Sequence, residues 1–137
     1  MNLSENCTVV LAKAAQTAAT TAVTTDVIDM QGYREIVFVG TITTKNAGNY
    51  VNLQEDTVST GASLADLKDT KIAGQTYFKV GLVRPKKRYV AAKITRTVSS
   101  ATGEIWAILF KGRKAPITSA TATLTEETHV SPDAGTA

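Results

Sequence analysis

The sequence has few of the residues from which active sites and metal sites are built. Cys7 is the only cysteine and His129 the only histidine in 137 residues. A single cysteine excludes an intramolecular disulfide and a cysteine-based metal cluster. The only histidine that could act as a catalytic base is His129, which lies in a polar stretch where a solvated or interface histidine is expected. No glycine-rich phosphate loop follows a predicted strand. We therefore expect no enzymatic activity, no cofactor and no bound metal.

Long apolar runs are also missing. No stretch approaches the roughly 20 apolar residues that a transmembrane helix needs. The first residues, MNLSENC, lack the basic segment and apolar run of a secretory signal. We expect a protein made in a cytoplasm that does not associate with membranes. The length favours one domain, large enough to bury a core without disulfides.

The charge is unevenly distributed, although the net charge is only +3. From Lys71 to Lys114 the sequence has eleven lysines and arginines and a single acid, Glu104. Residues 1–70 carry four bases and eight acids, and the residues from Ala115 onward carry three acids and no base. Such a separation is typical of nucleic-acid binding or of complementary contacts between protein subunits.

The stretch from Thr76 to Lys114 predicts three antiparallel strands. Phe78, Val80 and Leu82 alternate with polar or small residues, as do Val90, Ala92 and Ile94, which is the period of a half-buried strand. Pro85 lies between these two strands and favours a tight turn, so we predict a hairpin there. The third strand, Glu104–Phe110, is apolar on both faces, which indicates a central position in a sandwich or contact with a partner.

The remaining chain predicts more short strands and little helix. Leu11–Ala22 is rich in Ala and Thr, so we expect an extended arm with at most a short helix. Ser63–Leu67 favours one helical turn, because Ser63 can cap it and Asp66 suits its N-terminus. Turn clusters separate the other apolar runs, which we predict as strands: Thr8–Leu11 at an edge, Thr24–Met30, Arg34–Ile42 and Tyr50–Gln54.

Short strands without long helices between them predict an all-β fold, an antiparallel, jelly-roll-like β-sandwich with extended N- and C-terminal arms. We place an N-terminal arm at residues 1–22, the sandwich domain at 23–114 and a C-terminal arm at 115–137. The ends are poor in large apolar residues and bury too little surface alone to stay ordered. We expect neighbouring subunits of an assembly to hold them.

The basic cluster Arg84, Lys86, Lys87, Arg88, Arg113 and Lys114 is the main candidate site. Three interpretations stay open: a solvated surface, contact with an acidic protein surface, and binding of nucleic acid, with Tyr77 and Tyr89 stacking on bases. No RNA- or DNA-binding motif accompanies the charge. The sequence therefore supports nucleic acid less than the other two interpretations.

Several segments resemble the small capsid decoration, or cement, proteins of tailed bacteriophages. They are TTDVIDMQGYREIVFVG at Thr24–Gly40, LADL at Leu64–Leu67, RYVAAKITR at Arg88–Arg96 and EETHVSP at Glu126–Pro132. The resemblance implies a jelly-roll-like sandwich on the outside of the virion head. There it would bind the major capsid protein and copies of itself, as a dimer or trimer, and stabilise the capsid by bridging coat subunits.

These expectations define the candidate interface with the capsid or with other copies of the chain. Its residues are Arg84, Lys86, Lys87, Arg88, Arg113, Lys114, Glu126, Glu127 and His129. Two alternatives remain: another virion component, such as a head-tail joining or tail-tube protein, and a nucleic-acid-binding β-barrel.

Overall fold

The computed structural model describes residues 6–74, 76–111, 124–131 and 133–137. Every element in these residues is a β-strand, which confirms the all-β prediction, and no helix among them is long and apolar enough to cross a membrane. The strands are β1 (Cys7–Lys13), β2 (Gln16–Ala19), β3 (Val23–Thr24), β4 (Ile28–Asp29), β5 (Glu35–Thr41), β6 (Asn46–Asp56), β7 (Ala65–Asp66), β8 (Ile72–Gly74), β9 (Tyr77–Val83), β10 (Tyr89–Thr95), β11 (Ser100–Thr102), β12 (Ile105–Phe110) and β13 (Leu124–Val130).

Two sheets pack against each other, as the sequence predicted. The first sheet has the order β1-β12-β5-β9-β13. Its pairs are antiparallel except the last, because β13 runs parallel to β9. In the second sheet β10 pairs with β3, β4 and β6, and β6 also pairs with β7 and β8. A two-stranded ribbon joins β2 to β11.

The core lies between the inner faces of the two sheets. Alternate residues of β5 and β9 point inward from the first sheet, and alternate residues of β6 and β10 point inward from the second. The largest fully buried side chains include Ile36, Phe38, Val80, Leu82, Leu53 and Ile94. Each contributes about 1.5–3 kcal/mol through burial. The alternation of apolar residues in the sequence therefore located the inner faces correctly.

The predicted hairpin around Pro85 is wrong. β9 belongs to the first sheet and β10 to the second, so the chain passes from one sheet to the other between them, through a link at the surface. β9 pairs with β5 and β13, whereas β10 pairs with β6, β3 and β4. Arg84 makes this crossing possible, because its φ of 53° turns the chain out of the strand direction. The third predicted strand, β12, pairs with β1 and β5 and not with β10.

The segment Leu11–Ala22 contains strands, not the short helix that we allowed. β1 extends to Lys13 and pairs with β12, while β2 pairs with β11. The β-branched threonines that oppose a helix fit these strands. The domain boundaries at 22 and 114 stay predictions. Of the predicted arms, residues 1–5, 115–123 and 132 lie outside the described part of the chain.

The helical turn predicted at Ser63–Leu67 is also wrong. The backbone N–H of Ser63 donates to Oδ2 of Asp56 (2.8 Å), which holds a turn before β7. Residues 65–66 then pair with β6. Leu67 is fully buried and its N–H donates to the carbonyl of Leu53 (2.9 Å). These hydrogen bonds to β6 outweigh a cap that could stabilise a single helical turn only weakly.

Candidate protein-interaction surface

The crossing between the two sheets, residues 84–88, is held at several points by hydrogen bonds. The N–H of Arg84 donates to the carbonyl of Arg34 (2.7 Å), and the N–H of Lys86 donates to Oγ of Ser131 (3.0 Å). Oε2 of the buried Glu55 accepts hydrogen bonds from Oγ of Ser131 (3.2 Å) and from the N–H of Lys87 (3.4 Å). The crossing therefore presents its side chains from a fixed backbone.

These side chains form one wall of an open groove of about 460 Å³, which we call the cationic groove. Residues 30–34, which connect β4 to β5, form the other wall. The lining residues are Met30, Gln31, Tyr33, Arg34, Arg84, Pro85, Lys86, Lys87 and Arg88. The concentration of positive charge makes the groove a candidate site for an acidic partner.

Two of the five cations are neutralised within the protein. Arg88 binds Asp29 through two hydrogen bonds, Nε to Oδ1 and Nη2 to Oδ2, both 2.8 Å. This interaction lowers the pKa of Asp29 to about 2. Nζ of Lys86 lies 2.5 Å from Oδ1 of Asp133, and the hydrogen bond from Lys86 lowers the pKa of that carboxyl. Lys86 and Arg88 thus already have acidic partners within the protein, which reduces the net positive charge of the groove.

Arg34 and Arg84 differ from these two residues. Neither side chain makes a hydrogen bond or an ion pair with any described residue. Arg84 is exposed and Arg34 is partly exposed. Their backbones are fixed against each other by the 2.7 Å hydrogen bond. A guanidinium has five N–H donors in a planar fork that matches a carboxylate, so this pair is the part of the groove best able to bind an acidic group.

The structure brings together only part of the predicted interface. Arg84, Lys86, Lys87 and Arg88 all line the cationic groove. Arg113 and Lys114 lie outside the described residues. Glu126, Glu127 and His129 belong to β13, beside Lys79, Val80 and Leu82 of β9. His129 is half-buried in this strand. The role of these residues in an interface stays a prediction.

Sequence analysis missed Arg34, which is 50 positions away from Arg84 in the chain. Arg34 immediately precedes β5, and Arg84 immediately follows β9. Because β5 and β9 pair antiparallel, with Glu35 opposite Val83, the start of one strand meets the end of the other. Only the pairing of β5 with β9 shows that Arg34 and Arg84 are neighbours. The positions of the apolar residues in the sequence do not specify which strands pair.

The outer face of the first sheet, which points away from the core, is largely apolar over β1, β12 and β5, with Glu35 opposite Phe110 as the charged exception. In the register of these strands, Leu11 lies opposite Trp106 and Trp106 opposite Val39. The face comprises Val9, Leu11, Val37, Val39, Trp106, Ile108 and Phe110. Val9, Leu11 and Trp106 are exposed. Only the inner face of β12 is therefore buried in the core, and the prediction that its other face meets a partner stays open.

The comparison with known proteins shows the fold alone. No protein-family profile matches the sequence, and no curated protein matches it. Among solved structures, the fold is similar to the crystal structure of SPBc2 prophage-derived protein YomS, with a TM-score of 0.51 and 11% sequence identity. The match covers 76% of this chain and 92% of that chain. The chain thus shares the fold of a prophage-derived protein.

Proposed function

We propose that this chain is a structural protein of a tailed-phage virion that binds the outside of the capsid and stabilises it by bridging major capsid protein subunits, without performing a reaction. The fold shared with a prophage-derived protein supports the phage setting, as does the resemblance to decoration proteins in Thr24–Gly40 and Arg88–Arg96. The observation that carries the proposal is the cationic groove, where Arg34 and Arg84 lack partners among the described residues.

The groove suits an acidic protein surface. Arginine is enriched at protein interfaces because its guanidinium forms paired hydrogen bonds and is weakly hydrated. The backbones of Arg34 and Arg84 are already fixed, so binding costs less conformational entropy than it would on a free loop. Backbone hydrogen bonds from Arg84 to Arg34, from Lys86 to Ser131 and from Lys87 to Glu55 keep the groove wall in place. A coat subunit would therefore meet a preformed site.

Bridging explains how such binding stabilises a capsid. A protein that contacts two coat subunits adds interface that must be broken before the joint between them opens. The gain depends on the affinity for the closed joint relative to the open one, because a ligand shifts an equilibrium only by that difference. The bound protein would therefore raise the temperature at which heads open.

The test uses heads that lack this protein and the purified full-length chain. Binding is measured by co-sedimentation, and head stability by the temperature at which packaged DNA is released. The variant Arg34→Glu/Arg84→Glu reverses two of the three groove charges that have no acidic partner among the described residues, and it leaves Lys87 unchanged. Lys45→Glu reverses an exposed charge beyond the other end of β5. Thermal unfolding of each purified variant first establishes that it folds.

We expect the wild type to bind and to raise the release temperature. The double variant should bind at least about tenfold more weakly, since each reversed charge in such a contact costs on the order of 1 kcal/mol or more. Lys45→Glu should bind as the wild type does. If complete heads and heads lacking the protein release DNA at the same temperature, the proposal is wrong. A ring-shaped oligomer would indicate a joining or tail-tube protein instead, and salt-dependent binding to DNA fragments would indicate a nucleic-acid-binding protein.

A further inference from the structure

The first sheet has one edge that no described strand covers. Its edge strands are β1 and β13. β13 contacts β8 of the second sheet, which covers that side of the sandwich. On β1 the four consecutive residues Thr8 to Leu11 are all exposed, with Val9 57%, Val10 37% and Leu11 40% exposed. Since successive side chains of a strand point to opposite faces, β1 is exposed on both faces, with one side-chain contact at Thr8, whose Oγ1 hydrogen-bonds to the hydroxyl of Tyr33 (2.8 Å).

The hydrogen-bond pattern shows which backbone groups of β1 point outward. The N–H of Lys111 donates to the carbonyl of Asn6 (3.1 Å) directly opposite it. In an antiparallel pair such hydrogen-bonded residues alternate with residues whose N–H and C=O groups point away from the partner strand. Thr8 and Val10 therefore bond to β12, while the backbone groups of Cys7, Val9 and Leu11 face the free edge. The edge ends after Leu11, because the N–H of Asp26 donates to the carbonyl of Ala12 (2.8 Å).

This edge has none of the features that prevent strands from pairing. Natural edge strands are protected by charged residues, proline or bulges. Residues 7–11, with the sequence CTVVL, contain neither charge nor proline. The irregularity in β1 comes only between Leu11 and Lys13. The free edge therefore offers a short, uncharged, β-branched strand as a template for another strand of the same chemistry.

We propose that β1 of a second copy of this chain pairs with this edge, antiparallel and centred on Val9. A two-fold axis through that point places Val9 opposite Val9 of the partner subunit, and Cys7 opposite Leu11 of the partner subunit. Every residue with outward backbone groups then meets a residue of the same kind, so each pair exchanges two hydrogen bonds. A centre at Thr8 or Val10 also matches outward groups but forms fewer pairs.

The pairing also brings exposed apolar side chains of the two copies into contact. Val9 and Leu11 lie on the outer face beside Ile108 and Trp106. The proposed register joins the apolar outer faces of the two copies into one surface, and it sets no charge against a like charge within residues 7–11. A second copy is therefore the occupant that fits the edge in length, chemistry and symmetry. A five-residue strand addition is a small interface, so the dimer should dissociate on dilution.

A two-fold dimer would explain how the protein bridges two coat subunits. This explanation rests on the proposed function, but the pairing of the two β1 strands does not. Each copy contributes one cationic groove, so a two-fold dimer presents two equivalent grooves. Two grooves can hold two coat subunits, which a single groove cannot do. A variant that stays monomeric should therefore bind heads through its groove and fail to raise their release temperature.

The test measures the mass of the full-length protein by sedimentation as a function of concentration, up to about 100 µM. Val9→Lys places like charges opposite each other at the centre of the proposed interface, on a side chain that is already 57% exposed. Val58→Lys is the matched control, since Val58 is 41% exposed and lies outside every strand. Val9→Pro removes one outward N–H and leaves the hydrogen bonds to β12 in place.

We expect a dimer for the wild type and for Val58→Lys, and an at least tenfold higher dissociation constant for Val9→Lys and Val9→Pro. A wild-type monomer throughout, a trimer, or dimers of Val9→Lys as stable as the wild type would each overturn the inference. The outcome is independent of the head-binding test. If the wild-type protein is a monomer that binds and stabilises heads, only the pairing is refuted. If it is a dimer that does not bind heads, only the proposed function is refuted.

Discussion

Arg96, which follows β10, is expected to hold the ribbon of β2 and β11 onto the sandwich. Its side chain is only 4% exposed. Nε donates to the carbonyl of Thr21 (2.6 Å), and Nη1 donates to the carbonyls of Thr17 (2.9 Å) and Ser100 (2.7 Å). Nη2 also donates to Oγ1 of Thr21 (3.2 Å). One guanidinium thus connects residues 17–21, 96 and 100.

The size of the effect follows from these hydrogen bonds. A hydrogen bond to a charged group contributes about 1.5–3 kcal/mol, and such contributions do not add fully. Arg96→Ala also leaves buried carbonyls without donors and opens a cavity, while it removes the cost of burying a charge. We expect a net loss of about 3 kcal/mol in the free energy of unfolding, equivalent to a melting temperature about 10 °C lower. Arg96→Lys should lose about half as much, because one ammonium cannot reach all the acceptors.

Calorimetry measures the melting temperature, and hydrogen exchange of the β2 amides measures whether the ribbon is released before the sandwich unfolds. Arg88→Lys is the control, since Arg88 is exposed and surface ion pairs contribute little. It should leave the melting temperature and the β2 amides nearly unchanged. If Arg96→Ala melts within about 2 °C of the wild type and its β2 amides stay protected, Arg96 does not hold the ribbon.

Two further substitutions test the core and the pH dependence. In Gly40→Ala the new Cβ would lie 2.7 Å from Cζ of Phe78 and 3.1 Å from Cγ1 of Ile105. Overpacking should lower the free energy of unfolding by about 1–3 kcal/mol, and an unchanged urea midpoint would contradict this. The hydrogen bond from Arg88 lowers the pKa of Asp29 from 3.8 to about 2. Its stabilisation is therefore present above about pH 4 and lost as the pH falls towards 2. The difference in melting temperature between wild type and Asp29→Asn should shrink over that range, and a constant difference would refute it.

The alternation of apolar residues predicted the strand positions because alternation is a local property. Burial of Phe38 or Leu82 depends on which face of its own strand the residue occupies. The alternation of the adjacent residues in the sequence already indicates that face. β12 was located by a different local signal, its continuous run of apolar residues, and its inner face lies in the core. These predictions needed no knowledge of which strands pair.

Pairing itself could not be predicted in the same way. A short link that contains Pro85 is compatible with a hairpin and with a crossing between sheets, because both need a sharp change of direction and a residue that does not continue the ladder. Val80 and Val90 point into the same core from opposite sheets, so their burial does not distinguish the two arrangements. Partners distant in the sequence decide the outcome: β5 for β9, and β6 for β10.

The charge pattern of the sequence located the cationic groove but overstated its free charge. The acids that neutralise Lys86 and Arg88 are Asp133 and Asp29, which lie in the acidic flanks of the sequence and reach the basic block only in the fold. This internal pairing bears on the choice of partner. The salt dependence of binding to duplex DNA grows with the number of phosphates neutralised, about −0.9 in log–log slope for each. Among the described residues, Arg34, Arg84 and Lys87 of the groove have no acidic partner, and three neutralised phosphates would give a slope of about −2.7, which is shallow for a protein that binds a polyanion. A small patch of carboxylates on a neighbouring protein could be bound by the two guanidinium groups together with Lys87.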